Sequence, residues 1–321
     1  MPIGRGRGWP SYDARRCNAF EKVHCISIHE EVRVLNETLT KALRDQARQL
    51  LESERVDCVV GYEAAPRGGA RPAFVRDPAE AVRLIWSADC VHNLVTYLHD
   101  HKHSPRRGVE PPQMAVVVKP CDSRSVNVLL AEQQIERERV FVIGVACEGV
   151  QEAGGKEAAR CERCTERVPV IYDVLLGEPP EVTPVEEEYG DLARVEEMPP
   201  AERMAFWLRE FDRCIRCYAC RQVCPGCYCT TCAFERDDGL WIDGGIELPQ
   251  KHVFHLGRAI HLAGRCVGCD ECERVCPMGL PLSLLNRRLV QKVEALYGHR
   301  AGRKEALSPL LFELGEEGSP L

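Results

Sequence analysis

The sequence predicts two domains of different class: an α/β domain built on a parallel sheet over residues 1–176, and a mainly α-helical domain organised by cysteines over residues 202–300. Three observations carry that expectation. A strand–helix–strand pattern runs from Met114 to Ala146. An acidic, proline-rich stretch at 177–201, with Glu186, Glu187, Glu188, Pro199 and Pro200, has the composition of a linker. Beyond it, cysteines crowd together at regular spacing. The 321 residues suit two domains, and 45% hydrophobic residues supply both cores.

Taken in order, residues 31–53 place Val32, Val34, Leu35, Leu39, Leu43, Leu50 and Leu51 mostly at helical spacing. Val56–Gly61 and Ala73–Arg76 read as strands. Residues 78–99 read as a helix on Val82, Leu84, Ile85, Val91, Leu94, Val95 and Leu98. Met114–Val118 is a strand, Ser123–Ile135 a helix with Ser123 as N-cap, and Val140–Ala146 a second strand. Such a βαβ unit crosses over right-handedly between parallel strands. Helices are predicted over Met204–Arg213, Val253–Arg265 and Pro281–Tyr297. The tail, 301–321, is weakly patterned and predicted to fray.

A net charge of -7 fits nucleic acid and anionic membrane surfaces poorly; Arg5 and Arg7 read as solvated surface. The apolar runs Val140–Cys147 and Met114–Val118 fall well short of the ~20 residues of a transmembrane segment. Met1–Pro10 lacks the apolar stretch of a secretion signal. The expectation is a cytoplasmic protein. In that reducing compartment, 19 cysteines grouped as Cys-x-x-Cys point to metal or cluster ligands rather than disulfides.

Cys214, Cys217, Cys220 and Cys224 form C-x2-C-x2-C-x3-C before Pro225, and Cys266, Cys269, Cys272 and Cys276 repeat it before Pro277. Three thiolates in a short loop can wrap three irons of a compact cube, and a fourth comes from elsewhere. In two-cluster ferredoxins that carry this run, the last cysteine ligates the other [4Fe-4S] cluster. Cys214, Cys217, Cys220 and Cys276 are therefore expected to hold one cluster, and Cys266, Cys269, Cys272 and Cys224 a second. Zinc and disulfides do not call for so regular a spacing twice over. Cys220, Cys224 and Cys227 also match the radical-SAM spacing, but two of them already belong to the runs. Cys227, Cys229 and Cys232 are left over, either as packing that tunes a nearby cluster or as an extra metal site short of a fourth ligand.

The α/β half holds a second constellation. Cys121 follows the first strand of the βαβ unit and Cys147 follows the second, so parallel strands bring both to the carboxyl edge, where open α/β sheets bind ligands. Cys161 and Cys164 form a following C-x2-C pair. These four thiols are candidates for a third [4Fe-4S] cluster; zinc, or plain packing of small buried residues, fits the same count. Cys90 is a spare ligand, and Cys17, Cys25 and Cys58 read as structural. His92, His99, His101 and His103 read as a solvated helix end rather than a metal site. Arg213–Arg216 is a weak candidate for docking an acidic electron partner.

Residues 203–297, with helices around both cysteine runs, resemble the α-helical ferredoxin modules of heterodisulfide reductase and succinate dehydrogenase. Val118-Lys119-Pro120-Cys121-Asp122-Ser123-Arg124 and Ile143-Gly144-Val145-Ala146-Cys147 resemble the beta-subunit family of deazaflavin-dependent hydrogenases and formate dehydrogenases. That resemblance implies electron traffic among clusters, a flavin and a soluble coenzyme. Chains with this domain order resemble accessory subunits of heterodisulfide-reductase-type complexes in anaerobes. Here the ferredoxin part is C-terminal, whereas in that family it is often N-terminal. No G-x-G-x-x-G follows a strand, so for a flavin phosphate the sequence offers only Lys119 at the sheet edge.

With no acid–base or nucleophile constellation in view, the expected function is a non-catalytic electron-relay subunit, working with other subunits of a redox complex. A flavin-containing coenzyme oxidoreductase and a redox-sensing regulatory module are the alternatives.

Overall fold

The computed structural model describes residues 37–99, 111–152, 155–182, 185, 188–235 and 245–311. Helix α1 covers residues 37–52 and buries Leu43, Ala47, Leu50 and Leu51. The sheet follows: β1 (Cys58–Ala64), β2 (Ala70–Val75), β3 (Met114–Val118), β4 (Val140–Val145) and β5 (Val174–Leu176), in the order β2-β1-β3-β4-β5. β1 and β2 form an antiparallel hairpin; every other pairing is parallel. β3 is buried along its whole length, as a Val-rich run covered on both faces must be. Its crossover helix α2 (Pro120–Ala131) presses Val126, Leu129 and Leu130 into the same core.

The segment 78–99 is not the expected helix. Only two 3-10 turns form, Pro78–Arg83 and Leu94–Tyr97. Leu84 leaves the helical region to bridge Glu63 of β1, and the Asn93 carboxamide accepts from Val95 N at 3.1 Å to start a new turn. Helix α2 also begins earlier than expected. Lys119 is its N-cap residue, and Ser123 lies inside it, donating to the Pro120 carbonyl at 2.8 Å.

After α3 (Ala159–Glu162), the stretch read as linker contains α4 (Gly190–Glu196), which buries Leu192 and Val195 against Leu284. Its acidic groups are paired: Glu188 with Arg300, Asp191 with Arg287. The helical half has α5 (Pro200–Asp212), α6 (Ala219–Gln222), α7 (Leu248–His261), α8 (Glu271–Arg274) and α9 (Leu282–Tyr297). Phe211, Phe254, Leu280 and Leu282 form its core, with Cys220 and Cys272 inside it. Residues 301–308, predicted to fray, are docked. Arg124 donates twice to the Ala301 carbonyl, at 3.0 and 2.8 Å, Asn127 donates to Gly302 O at 2.9 Å, and Ser308 is buried.

Candidate cluster sites

The two cysteine runs fold into the same loop twice. In the first, Arg216 and Tyr218 adopt positive φ (49° and 57°); in the second, Gly268 and Asp270 do (71° and 53°). The left-handed residues sit just before and just after the middle cysteine of each loop. Tyr218 and Asp270 are the N-cap residues of α6 and α8. Such a conformation costs a non-glycine residue of order 1 kcal/mol, and the structure adopts it at three of the four positions.

The last cysteine of each run lies away from its own loop's first three. Cys224 of the first lines a small cavity with Cys266, Cys269 and Cys272 of the second. Cys276 of the second run packs with Cys214 and Cys220 of the first around the Phe211–Leu280 core. Amide donors point at several sulfurs: Arg216 N to Cys214 and Leu280 N to Cys276, at 3.3 and 3.4 Å, and Asn286 Nδ2 to Cys272 at 3.4 Å.

The third constellation also converges. Cys121 stands in the first turn of α2, Cys147 lies just past β4, and Cys161 and Cys164 come from α3 and the turn after it. All four line one cavity of about 70 Å³. Val150 N donates to Cys161 Sγ at 3.4 Å. Val267, Gly268, Arg287, Val290 and Arg300 of the helical half close the same cavity.

The donor chemistry suits iron–sulfur cores. Burial pushes the Cys147, Cys220 and Cys266 thiols up to about 11, so thiolates at these places need nearby positive charge, which an iron core supplies. N–H···S bonds are a recurring tuning device of such clusters. Among the described residues, no three Cys, His, Asp or Glu side chains gather as a single ion requires. A zinc ion draws its thiolates to about 2.3 Å, whereas a four-iron core spreads them over separate irons.

Other expected residues lie elsewhere. Lys119 is buried, and its ammonium is already bound to Asp122 at 2.6 Å and to Tyr62 OH and the His92 carbonyl at 2.7 Å each. It holds the β1–β3 edge together and has no N–H left for a flavin phosphate. His99 is no solvated helix end: it is buried and meets the Pro225 carbonyl at 2.6 Å. His92 meets Arg274; His101 and His103 lie outside the described residues, as do Cys17 and Cys25. Arg216 is buried too, donating to Gly245 O and Phe234 O at 2.6 and 2.7 Å, so it docks nothing. Cys58 and Cys90 are core residues. Cys227 lies against Cys224, its thiol raised by hydrogen bonding to Cys224 and by burial, while Cys229 is exposed. Sequence reasoning missed two buried arginines beside the cysteines, Arg160 and Arg258; nothing in their spacing marks them.

A wide cleft of about 980 Å³ runs between the halves, bordered by Gly68, His92, Arg163, Arg194, Arg274 and Cys276 among others. No described helix is long and apolar enough to cross a membrane.

Residues 210–280 match the 4Fe-4S dicluster domain family. The chain is 23% identical to an F420-dependent formate dehydrogenase subunit beta of Methanocaldococcus jannaschii, over 82% of this chain and 92% of that protein. It is 23% identical to F420-dependent formate dehydrogenase 1 subunit beta of Methanococcus maripaludis, over 75% and 85%. A shorter similarity, 30% over 38% of this chain and 13% of the relative, is to the acetyl-CoA decarbonylase/synthase complex subunit alpha 1 of Methanosarcina mazei. The resemblance to beta subunits thus extends well beyond the two short segments that suggested it.

Proposed function

We propose that this chain is an iron–sulfur electron-transfer subunit of a cytoplasmic oxidoreductase complex of the formate dehydrogenase, hydrogenase or heterodisulfide reductase type, carrying three [4Fe-4S] clusters in a row. The observation that carries the reading is the crossed convergence of the two runs, with Cys224 beside Cys266, Cys269 and Cys272. By the same logic Cys214, Cys217, Cys220 and Cys276 hold the other cluster of the pair. Cys121, Cys147, Cys161 and Cys164 hold the third, at the sheet's carboxyl edge. When bound, each cluster accepts and releases one electron. The chain's own residues hold the thiolates, aim amide N–H groups at sulfur and keep water away with Phe211, Phe254 and Leu280. A catalytic subunit and an electron acceptor would be the partners.

Protein purified and reconstituted without oxygen should contain about twelve irons with matching sulfide, as three four-iron clusters require. Cys147→Ser should lower the count to about eight. Eight in the parent protein would remove the third site, and zinc without sulfide would overturn the whole reading.

A second reading rests on the cleft that reaches Cys276. Two relatives that match over most of the chain are F420-dependent by name. A flavin or deazaflavin coenzyme on this chain would belong in that arginine-lined cleft rather than at Lys119. Flavin found in the purified protein, together with coenzyme-driven cluster reduction, would favour it.

A further inference from the structure

Two arginines are buried between successive cysteine sets. Arg258, on α7, is 5% exposed and donates to the Cys220 carbonyl at 2.9 Å. It also lines the cavity of Cys224, Cys266, Cys269 and Cys272. No carboxylate pairs with it among the described residues, and its Nε has no partner. Arg160, 7% exposed, repeats the arrangement one site along. It lines the cavity of Cys121, Cys147, Cys161 and Cys164 and donates to the Cys269 carbonyl at 3.0 Å. Its Nε is also unpartnered. Its contact with Glu271 is long, 3.7 Å, and that carboxylate is held closer, at 2.7 Å, by Arg274.

A buried cation without a full counter-ion is costly. Four thiolates leave each iron core a net anion, one charge more negative when reduced. We propose that Arg258 and Arg160 are positioning charges of the electron path: each stands between two neighbouring clusters and stabilises the reduced state of both. The first pair is thereby joined through Arg258, and the second and third clusters through Arg160. An electron leaving one cluster reduces its oxidised neighbour. Arginine stays protonated throughout, so no proton moves with it. The inference rests on the three-cluster reading.

The test is a redox titration of the reconstituted full chain, followed by EPR. R258Q should lower the reduction equilibrium of the two C-terminal clusters on the order of tenfold, which is about 59 mV for a one-electron couple, and leave the third alone. R160Q should shift the second and third clusters and spare the first. R258K and R160K, which keep the charge, should stay near the parent potentials. Unshifted Gln variants, equal shifts at every cluster, or Lys variants that shift as far as Gln would each overturn the proposal. If a Gln variant loses iron, R258M or R160M, which also removes the charge, takes its place under the same criterion. An iron count of eight in the parent protein would instead remove the third site, leaving the Arg258 arm to be decided on the remaining pair.

Discussion

At the scale of single residues, His255 shows how the helical core constrains chemistry. Its ring stacks on Phe211 with centroids 4.8 Å apart, and neither nitrogen has a partner among the described residues. Burial, then the charges of Arg258 and Arg216, push its pKa down to about 3. The unfolded chain protonates this histidine near pH ~6.5. The folded pKa is the lower one, so the unfolded state binds more protons between the two values. Stability is unaffected above about pH 6.5 and falls as pH drops from there toward about 3. His255→Phe keeps the stack and removes the proton. Its melting temperature, followed anaerobically from about pH 7 to 4, should fall less steeply than that of the parent protein; parallel curves would show that the histidine is not the titrating group. The ligand runs were legible because their geometry is local, three thiols within one loop. His99 and Arg216 were misread because their partners, the Pro225 carbonyl and the Phe234 and Gly245 carbonyls, lie far along the chain or beyond any pattern. A polar residue with a distant partner looks like a surface residue in sequence.

Helix α2 contributes much of the joint between the halves. Its C-cap residue Glu132 meets Arg265 at 2.7 Å and accepts from Tyr228 OH at 2.6 Å. Near its start, Arg124 and Asn127 grip the chain at Ala301 and Gly302. Gly302 has φ 72°, and a Cβ there would sit 2.0 Å from the Arg124 carbonyl, so only glycine fits the contact. Glu132→Ala strands a mostly buried guanidinium and should cost on the order of 3 kcal/mol in chemical denaturation under anaerobic conditions. A loss below about 1 kcal/mol, the worth of an exposed pair, would show that the joint is held elsewhere. The strand–helix–strand unit was readable because continuous Val-rich runs and short links leave one topology. The 78–99 segment was not, since its apolar residues fit a helix and only the bridge to β1 decides against one.

For the whole molecule, the proposed exchange of Cys224 and Cys276 would make the two runs interdependent. Cys224→Ser changes a residue of the first run but should disable the cluster held by Cys266, Cys269 and Cys272, leaving the signals of the other two clusters in EPR and Mössbauer spectra. Cys276→Ser should do the reverse. Damage confined to each residue's own run would mean that the ligands are not exchanged. The cysteine census and spacing foretold cluster chemistry. They could not foretell that residues 267–300 wall the cavity of Cys121 and Cys147, because that wall exists only once the two domains are packed. The wall also bears on kinetics. Electron passage between separate proteins waits on collision, so it slows with dilution and responds to ionic strength. Here the meeting has already taken place and is fixed by covalent continuity. Passage between the two halves should therefore be indifferent to both, and any salt or concentration dependence of the assembled enzyme should arise where this subunit meets its partners.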